Sequence, residues 1–190
     1  IYEKYIDGKK NVILDYKECK EELKNNIYHA VKKRLVADVP VGSFLSGGID
    51  STLVTAIAND IVKEKIKTFT IGFEDKKRNE AQFAKESSQY LGTDHYEVYV
   101  TERDMLDDMC FYFDEPFADP SELPTMLVSK VAKEKVTVAL SGDGGDEFFC
   151  GYSMYDYVYY SQMLDKLSGV GNKFIPKSIK KKLPAEVVAL

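Results

Sequence analysis

At 190 residues, with 44% hydrophobic and 30% charged positions, the chain is long enough to bury a core of its own and has the balance of a globular domain. Its formal net charge of −5 argues against a nucleic-acid surface, whose affinity would rest on clustered Lys and Arg. No apolar run nears the roughly 20 residues of a bilayer span, and the three scattered cysteines, Cys19, Cys110 and Cys150, form no C-x-x-C pair, which excludes a disulfide framework and a zinc ribbon.

In chain order, the first prediction is an amphipathic helix from about Asp15 to Ala37. Leu23, Ile27, Ala30, Val31 and Leu35 fall on one face, and Asp15 with Glu18 makes a capping box. Pro40 in "DVPVG" forces Val39 out of the α region, and Val41 to Leu45 has the short apolar character of a buried parallel strand. The alternation then repeats: helix Ser51 to Glu64, strand Ile66 to Phe73, helix Glu80 to Leu91 closed by Gly92, strand His95 to Val100. Helical segments over Asp104 to Phe113 and Pro124 to Lys133 lead to a last strand, Val136 to Leu140. Strands alternating with helices of this length predict an α/β fold with a parallel sheet. Beyond Gly151 the pattern weakens. Tyr152 to Tyr160 suits helix packing better than a ligand cage, "LSGVGNKFIP" reads as loop, and the basic run Lys177 to Lys182 reads as a solvated face or flexible end. The first residue is Ile1 and no signal-peptide pattern follows, so the expectation is a cytoplasmic protein and a piece of a longer chain.

The stretch "SFLSGGIDSTL", Ser43 to Leu53, runs from a strand end through a Ser-Gly-Gly turn into a helix start. Backbone N–H groups and the positive end of the helix dipole make that place an anion site, glycine admits a phosphate closely, and Ser46 and Ser51 can donate hydroxyls. The bland alternative is a tight strand-to-helix turn capped by Ser46 or Asp50. The spacing matches neither Walker A nor G-x-G-x-x-G, and an acid, Asp50, stands where a base would be expected. An acid beside phosphate makes sense if a divalent cation bridges them. A second strand end, "VTVALSGDGGDEFF", again enters Ser-Gly and carries Asp143, Asp146 and Glu147. Two acidic Ser-Gly turns suggest a shared Mg²⁺ site.

"LSGGIDS" (Leu45 to Ser51) resembles the pyrophosphate-loop signature of the N-type ATP pyrophosphatases. With "SGDGGDE" (Ser141 to Glu147), "DEPFADPSELPT" and "GTDHYE" it resembles the synthetase domain of glutamine-hydrolysing asparagine synthetases of the bacterial B type, over residues of about 15 to 155. The resemblance implies a parallel sheet flanked by helices, the adenine-nucleotide α-hydrolase-like fold of the pyrophosphate-loop enzymes. It also implies attack of a carboxylate on the α-phosphate of ATP, release of pyrophosphate, and amidation of the acyl-adenylate by ammonia. Carried over by position, Ser46, Gly47, Gly48 and Ser51 would cradle pyrophosphate, and Asp50 and Asp146 would hold Mg²⁺. Phe44, Leu45, Ile71, Ser141 and Gly142 would contact adenosine. Asp143 would border the aspartyl-adenylate, with Asp146 and Glu147 beside it as catalytic acids, and Asp119 and Ser121 would border the substrate. Two departures stand out: Cys150-Gly151-Tyr152 replaces Gly-Gly-Tyr, with no sign of an activated thiol, and Tyr96 replaces a common second histidine, leaving His95 as a strand-end residue rather than a base.

The implied protein is an ATP-dependent ligase making asparagine from aspartate, with ammonia from a glutaminase domain on the same chain and no nucleic-acid or membrane partner; a homodimer is compatible with it. Alternatives are amidation of another carboxylate, a sugar uronate or peptide side chain, or a nucleotide-binding module without catalysis. A tRNA-modifying ligase with this loop should carry a basic face, which an acidic chain lacks. The family's glutaminase domain and the later part of its synthetase domain lie outside these 190 residues, which are expected to be inactive alone.

Overall fold

A computed structural model describes residues 15–73, 79–100, 112 and 121–168. The chain divides into two compact units, residues 1–142 and 143–190. The helix expected over Asp104 to Phe113, Asp119, Cys110, most of "LSGVGNKFIP" and the basic run from Lys177 lie outside the described residues.

The first unit begins with α1 (Tyr16–Arg34), followed by β1 (Val41–Phe44), α2 (Ile49–Ile61), β2 (Lys67–Phe73), α3 (Ala81–Leu91), β3 (Asp94–Val100), α4 (Glu122–Lys133) and β4 (Val138–Leu140). Asp15 caps α1 by accepting from the Glu18 N–H at 2.9 Å, as the sequence predicts. Gly92 ends α3 in the left-handed region at φ 70°, where its N–H reaches the Ser88 carbonyl.

All three strand pairings are parallel, and the order across the sheet is β3-β2-β1-β4. The α/β parallel sheet expected from the alternation is therefore what forms. Side-chain period 2 sorts the two faces. Phe69 packs with Ala132 and Val136, and Ile71 with Val100, Met126 and Leu127, so α4 covers that face of β2. On the other face Ser43, in register with Thr68, shares a hydroxyl hydrogen bond of 2.8 Å with Thr55 of α2. Thr68 in turn bonds Thr93 and His95, both at 2.9 Å. Val31 of α1 closes against Ala58 and Ile66.

Several element ends differ from the pattern-based expectation, for physical reasons. α2 starts at Ile49 rather than Ser51 because Gly48 takes the N-cap position, and it stops at Ile61 because Val62 is extended. α4 begins two residues before Pro124; that proline sits in the first turn, where a missing N–H costs no helical bond. β4 is shorter than Val136 to Leu140. The N–H groups of Lys135 and Val136 both turn back to the Ala132 carbonyl, so Val136 is buried core on a helix-exit backbone.

The second unit carries α5 (Gly145–Phe149) and α6 (Ser153–Ser168). The tyrosine-rich stretch is helical as expected, but it is not packed: Tyr157, Tyr159 and Tyr160 are exposed. At 100° per residue Tyr157 and Tyr160 share a face, and Tyr159 points away from it. Among the described residues no helix is long and apolar enough to cross a membrane.

Candidate functional site

The sheet order fixes where a ligand should sit. The chain moves from β1 outward through β2 to β3, then returns to place β4 on the other side of β1. The carboxyl ends of β1 and β4, with Ser43 opposite Leu140, flank the point where the order reverses, the usual ligand crevice of such sheets. Both Ser-Gly turns leave the sheet there.

The turn after β1 is tied down by its own hydroxyls. Ser51 Oγ accepts from the Ser46 N–H at 3.2 Å and lies 3.0 Å from Ser46 Oγ, which in turn accepts from the Gly48 N–H at 3.3 Å. Gly47 has φ +85°, and a Cβ there would lie 2.6 Å from backbone and side-chain atoms of Phe83 and Ala84 on α3. It is glycine for the fold. Gly48 has no such need: its φ of −69° suits any residue, and a Cβ would meet only Ser46 Oγ, at 3.3 Å. Gly48 is the N-cap of α2 and supplies no side-chain cap; Ser46 Oγ holds its N–H, and neither Ser46 nor Asp50 takes the N-cap position. An open Cα at an uncapped 13-residue helix start is the arrangement that receives an anion.

The turn after β4 closes on the same place. A Cβ on Gly142 would fall 2.7 Å from the Ser51 nitrogen and 3.0 Å from Asp50 carbon atoms. Only glycine lets the two turns meet, and Asp50 therefore stands in the first turn of α2 directly beside Ser141-Gly142. The structure thus brings together Ser46, Gly47, Gly48, Asp50, Ser51 and Gly142.

The residues expected at adenosine fall into two sets. Leu45 and Ile71 are buried and Phe44 is half-buried against the α4 face, so their side chains belong to the core. Their backbone is another matter. The Phe69 carbonyl accepts from Leu45 N–H at 3.0 Å, toward β1, and Ile71, two residues on, points its peptide groups the same way past the last β1–β2 pair. Ser141 lies at the β4 end.

Asp143, Asp146 and Glu147 belong to the second unit. Gly144, at φ 90°, starts α5, and the helix ends on Cys150 in the left-handed region at φ 58°. Cys150 is exposed. The Tyr152 hydroxyl donates to Glu147 Oε1 at 2.6 Å; this bond holds the Glu147 carboxyl below its usual range and pushes Tyr152 up to about 12. Among the described residues no group of three or more His, Cys, Asp or Glu side chains gathers as a metal cage. Mg²⁺ does not require one, since it binds through one or two carboxylates plus substrate phosphates, and a lone Asp50 beside the Ser-Gly-Gly turn fits that donor set.

Sequence reasoning missed Glu122. It is 6% exposed, its Oε1 is buried without a hydrogen-bond partner among the described residues, and it heads α4 at the carboxyl end of the sheet, near Ile71 and Val100 through Leu123 and Met126. An acid before Leu-Pro reads as an ordinary first-turn charge, so only burial reveals it. His95 is placed as expected, in β3 near its amino end and away from the turns, with Nδ1 on Thr68.

Comparison with known proteins follows the same line. The family model described as asparagine synthase matches residues 22–189. A candidate glutamine-hydrolyzing asparagine synthetase 2 of Methanocaldococcus jannaschii is 44% identical over 159 residues, which is 82% of this chain and 31% of that protein. The glutamine-hydrolyzing asparagine synthetase 1 of Bacillus subtilis is 41% identical over 138 residues, 71% of this chain and 22% of that protein. A Penicillium rubens protein named amidase chyE is 30% identical over 156 residues, 73% of this chain and 23% of its own length. The chain thus spans less than a third of each of these relatives. Among solved structures, an NH3-dependent NAD synthetase from Campylobacter jejuni aligns with a TM-score of 0.46 at 19% identity, over 74% of this chain and 62% of that one.

Proposed function

The chain belongs to the asparagine synthase family, and we propose on that footing that it is the ATP-binding part of an ATP-dependent amide ligase that makes asparagine from aspartate. The observation that carries the reading is the open Cα of Gly48 at the start of α2, beside the paired Ser46 and Ser51 hydroxyls, in a turn whose Asp50 and Ser51 lie against Gly142. In this reading the aspartate side-chain carboxylate attacks the α-phosphorus of ATP. The bond from that phosphorus to the bridging oxygen breaks, and pyrophosphate leaves with the electron pair. Ser46, Gly47, Gly48 and Ser51 receive the departing charge, the N–H groups that donate to the two serine hydroxyls turning to the phosphate oxygens. That is why the turn needs no lysine of the Walker kind. Asp50 and Asp146 would hold Mg²⁺, which would supply neutralising charge to the leaving group.

The adenosine is taken to lie over the end of β1, against the backbone of Leu45 and Ile71 and near Phe44, Ser141 and Gly142. Asp143 borders the acyl group, with Glu147 beside Asp146. Ammonia, delivered by a glutaminase domain on the same polypeptide, then attacks the acyl carbon; AMP leaves and the amide loses a proton. A relative that bears an amidase name favours keeping a second reading, in which the same adenylation serves another carboxylate. Exchange of labelled pyrophosphate into ATP by the intact protein tests both. Exchange that requires aspartate and Mg²⁺ is expected. Exchange with a different carboxylate alone would keep the chemistry and replace the product, and none with any carboxylate would end the reading.

A further inference from the structure

Glu122 is an acid on an otherwise apolar buried face: the other buried residues of α4 are Met126, Leu127 and Ala132. It is 6% exposed, and its Oε1 meets no hydrogen-bond donor among the described residues. Burying a carboxylate without a partner is costly, whereas a leucine at the same place would gain from burial. The positive end of the helix dipole favours an acid in the first turn of α4. An acid that served the helix end alone would do so from water. A buried carboxylate that no donor of the described residues reaches marks a place where a cation is received.

Its position ties it to the crevice. Glu122, the Ser-Gly-Gly turn and Gly142 all belong to the first unit. Side chains four apart share a helix face, so Glu122 lies one turn nearer the helix start than Met126, which packs with Ile71 and Val100. That puts it at the carboxyl end of the sheet, on the α4 face. The Ser-Gly-Gly turn leads into α2, whose Thr55 meets Ser43 on the opposite face. Displacement at phosphorus sets the attacking and leaving oxygens roughly in line. Pyrophosphate that departs toward α2 therefore calls for a carboxylate that arrives from the α4 side, where Glu122 stands.

We infer that Glu122 is a specificity-determining residue that receives the ammonium group of the carboxylate substrate, which makes that substrate a free amino acid. A charge-assisted hydrogen bond to the ammonium would give the carboxylate its partner. The same charge repels a substrate that brings carboxylate alone, so it selects against a sugar uronate or a peptide side chain. This inference rests on the proposed adenylation and adds to it the class of acid that is activated.

The test uses the intact protein and exchange of labelled pyrophosphate into ATP, for wild type and Glu122→Gln, with aspartate as substrate and succinate, which is aspartate without its amino group, as competitor. Glu122→Gln keeps the shape and removes the charge. It is expected to raise KM for aspartate about tenfold or more, the scale of one hydrogen bond to a charged group, and to leave KM for ATP unchanged. Succinate should compete at least as well in the variant as in wild type, because it has no ammonium to lose. An unchanged KM for aspartate, or aspartate and succinate weakened alike, would overturn the inference and leave a structural acid. A wild-type protein that uses succinate as readily as aspartate would overturn it without any variant. Exchange with a uronate but not with aspartate would overturn the ammonium site and keep the adenylation; no exchange with any carboxylate would end the adenylation reading, and the inference with it.

Discussion

Two neighbouring glycines in the turn after β1 have separable jobs, and substitution distinguishes them. Gly47→Ala forces a Cβ onto a residue at φ +85° that already touches α3, so it should destabilise the unit by about 1–3 kcal/mol from backbone strain alone. The denaturant midpoint reads this directly. Gly48→Ala should leave that midpoint nearly unmoved yet weaken Mg-ATP binding roughly tenfold or more, because the added methyl stands where a phosphate would approach the backbone. Loss of stability in both variants would mean that Gly48, too, is there for the fold. His95 makes a second residue-level prediction. Burial lowers its pKa foremost; Glu97 opposes this and Lys85, paired with Glu97 at 3.7 Å, adds to it. With Nδ1 on Thr68 and Nε2 buried, a second ring proton meets no acceptor among the described residues. The unfolded chain therefore binds the proton more readily than the folded one. The stability linked to this group is complete above pH 6.5, is lost as pH falls through the lowered folded value, and levels off below it. His95→Gln should flatten that fall in a series of unfolding curves between pH 7 and 5; a wild-type curve as flat as the variant's would contradict it. The serines, glycines and Asp50 of the turn were legible in the sequence because their spacing is rare. Glu122 was not, since burial has no signature in a single acidic letter.

Asn59 joins three elements, and its loss should be felt in all of them. From the last turn of α2 its Nδ2 donates to the Leu91 carbonyl at the end of α3, at 2.9 Å, and its Oδ1 accepts from the Ile66 N–H just before β2, at 3.1 Å. Asn59→Ala should cost about 1–3 kcal/mol, since two partly buried backbone groups lose their partner. Hydrogen exchange should quicken at Ile66 in particular; an unchanged rate there would show that the bridge carries no weight. The elements themselves were largely readable. Apolar positions three and four apart gave α1, a short apolar run gave β1 and a run rich in Ile, Thr and Phe gave β2, because parallel strands are buried on both faces. Element ends were harder. At β4 a buried valine sits on a helix-exit turn, and at α2 a glycine rather than a serine takes the cap; backbone hydrogen bonding decides both, and side-chain pattern does not report it. In α6 the tyrosines suggested a packed face, yet Tyr157, Tyr159 and Tyr160 are all exposed.

At the scale of the molecule, the parallel order β3-β2-β1-β4 determines where chemistry can happen. It sets two Ser-Gly turns side by side at the reversal point, and Gly142 lets them touch. Sequence pattern could suggest that both turns follow strands, but adjacency of β1 and β4 is a property of long-range pairing and was not readable from either motif alone. The central claim is that this crevice stabilises pyrophosphate as a carboxylate displaces it from the α-phosphorus of ATP. The most direct measurement is phosphorus NMR of the intact protein incubated with ATP, Mg²⁺, aspartate and ammonium. The account predicts AMP and pyrophosphate, formed only when aspartate is present. ADP and inorganic phosphate as the products would contradict it.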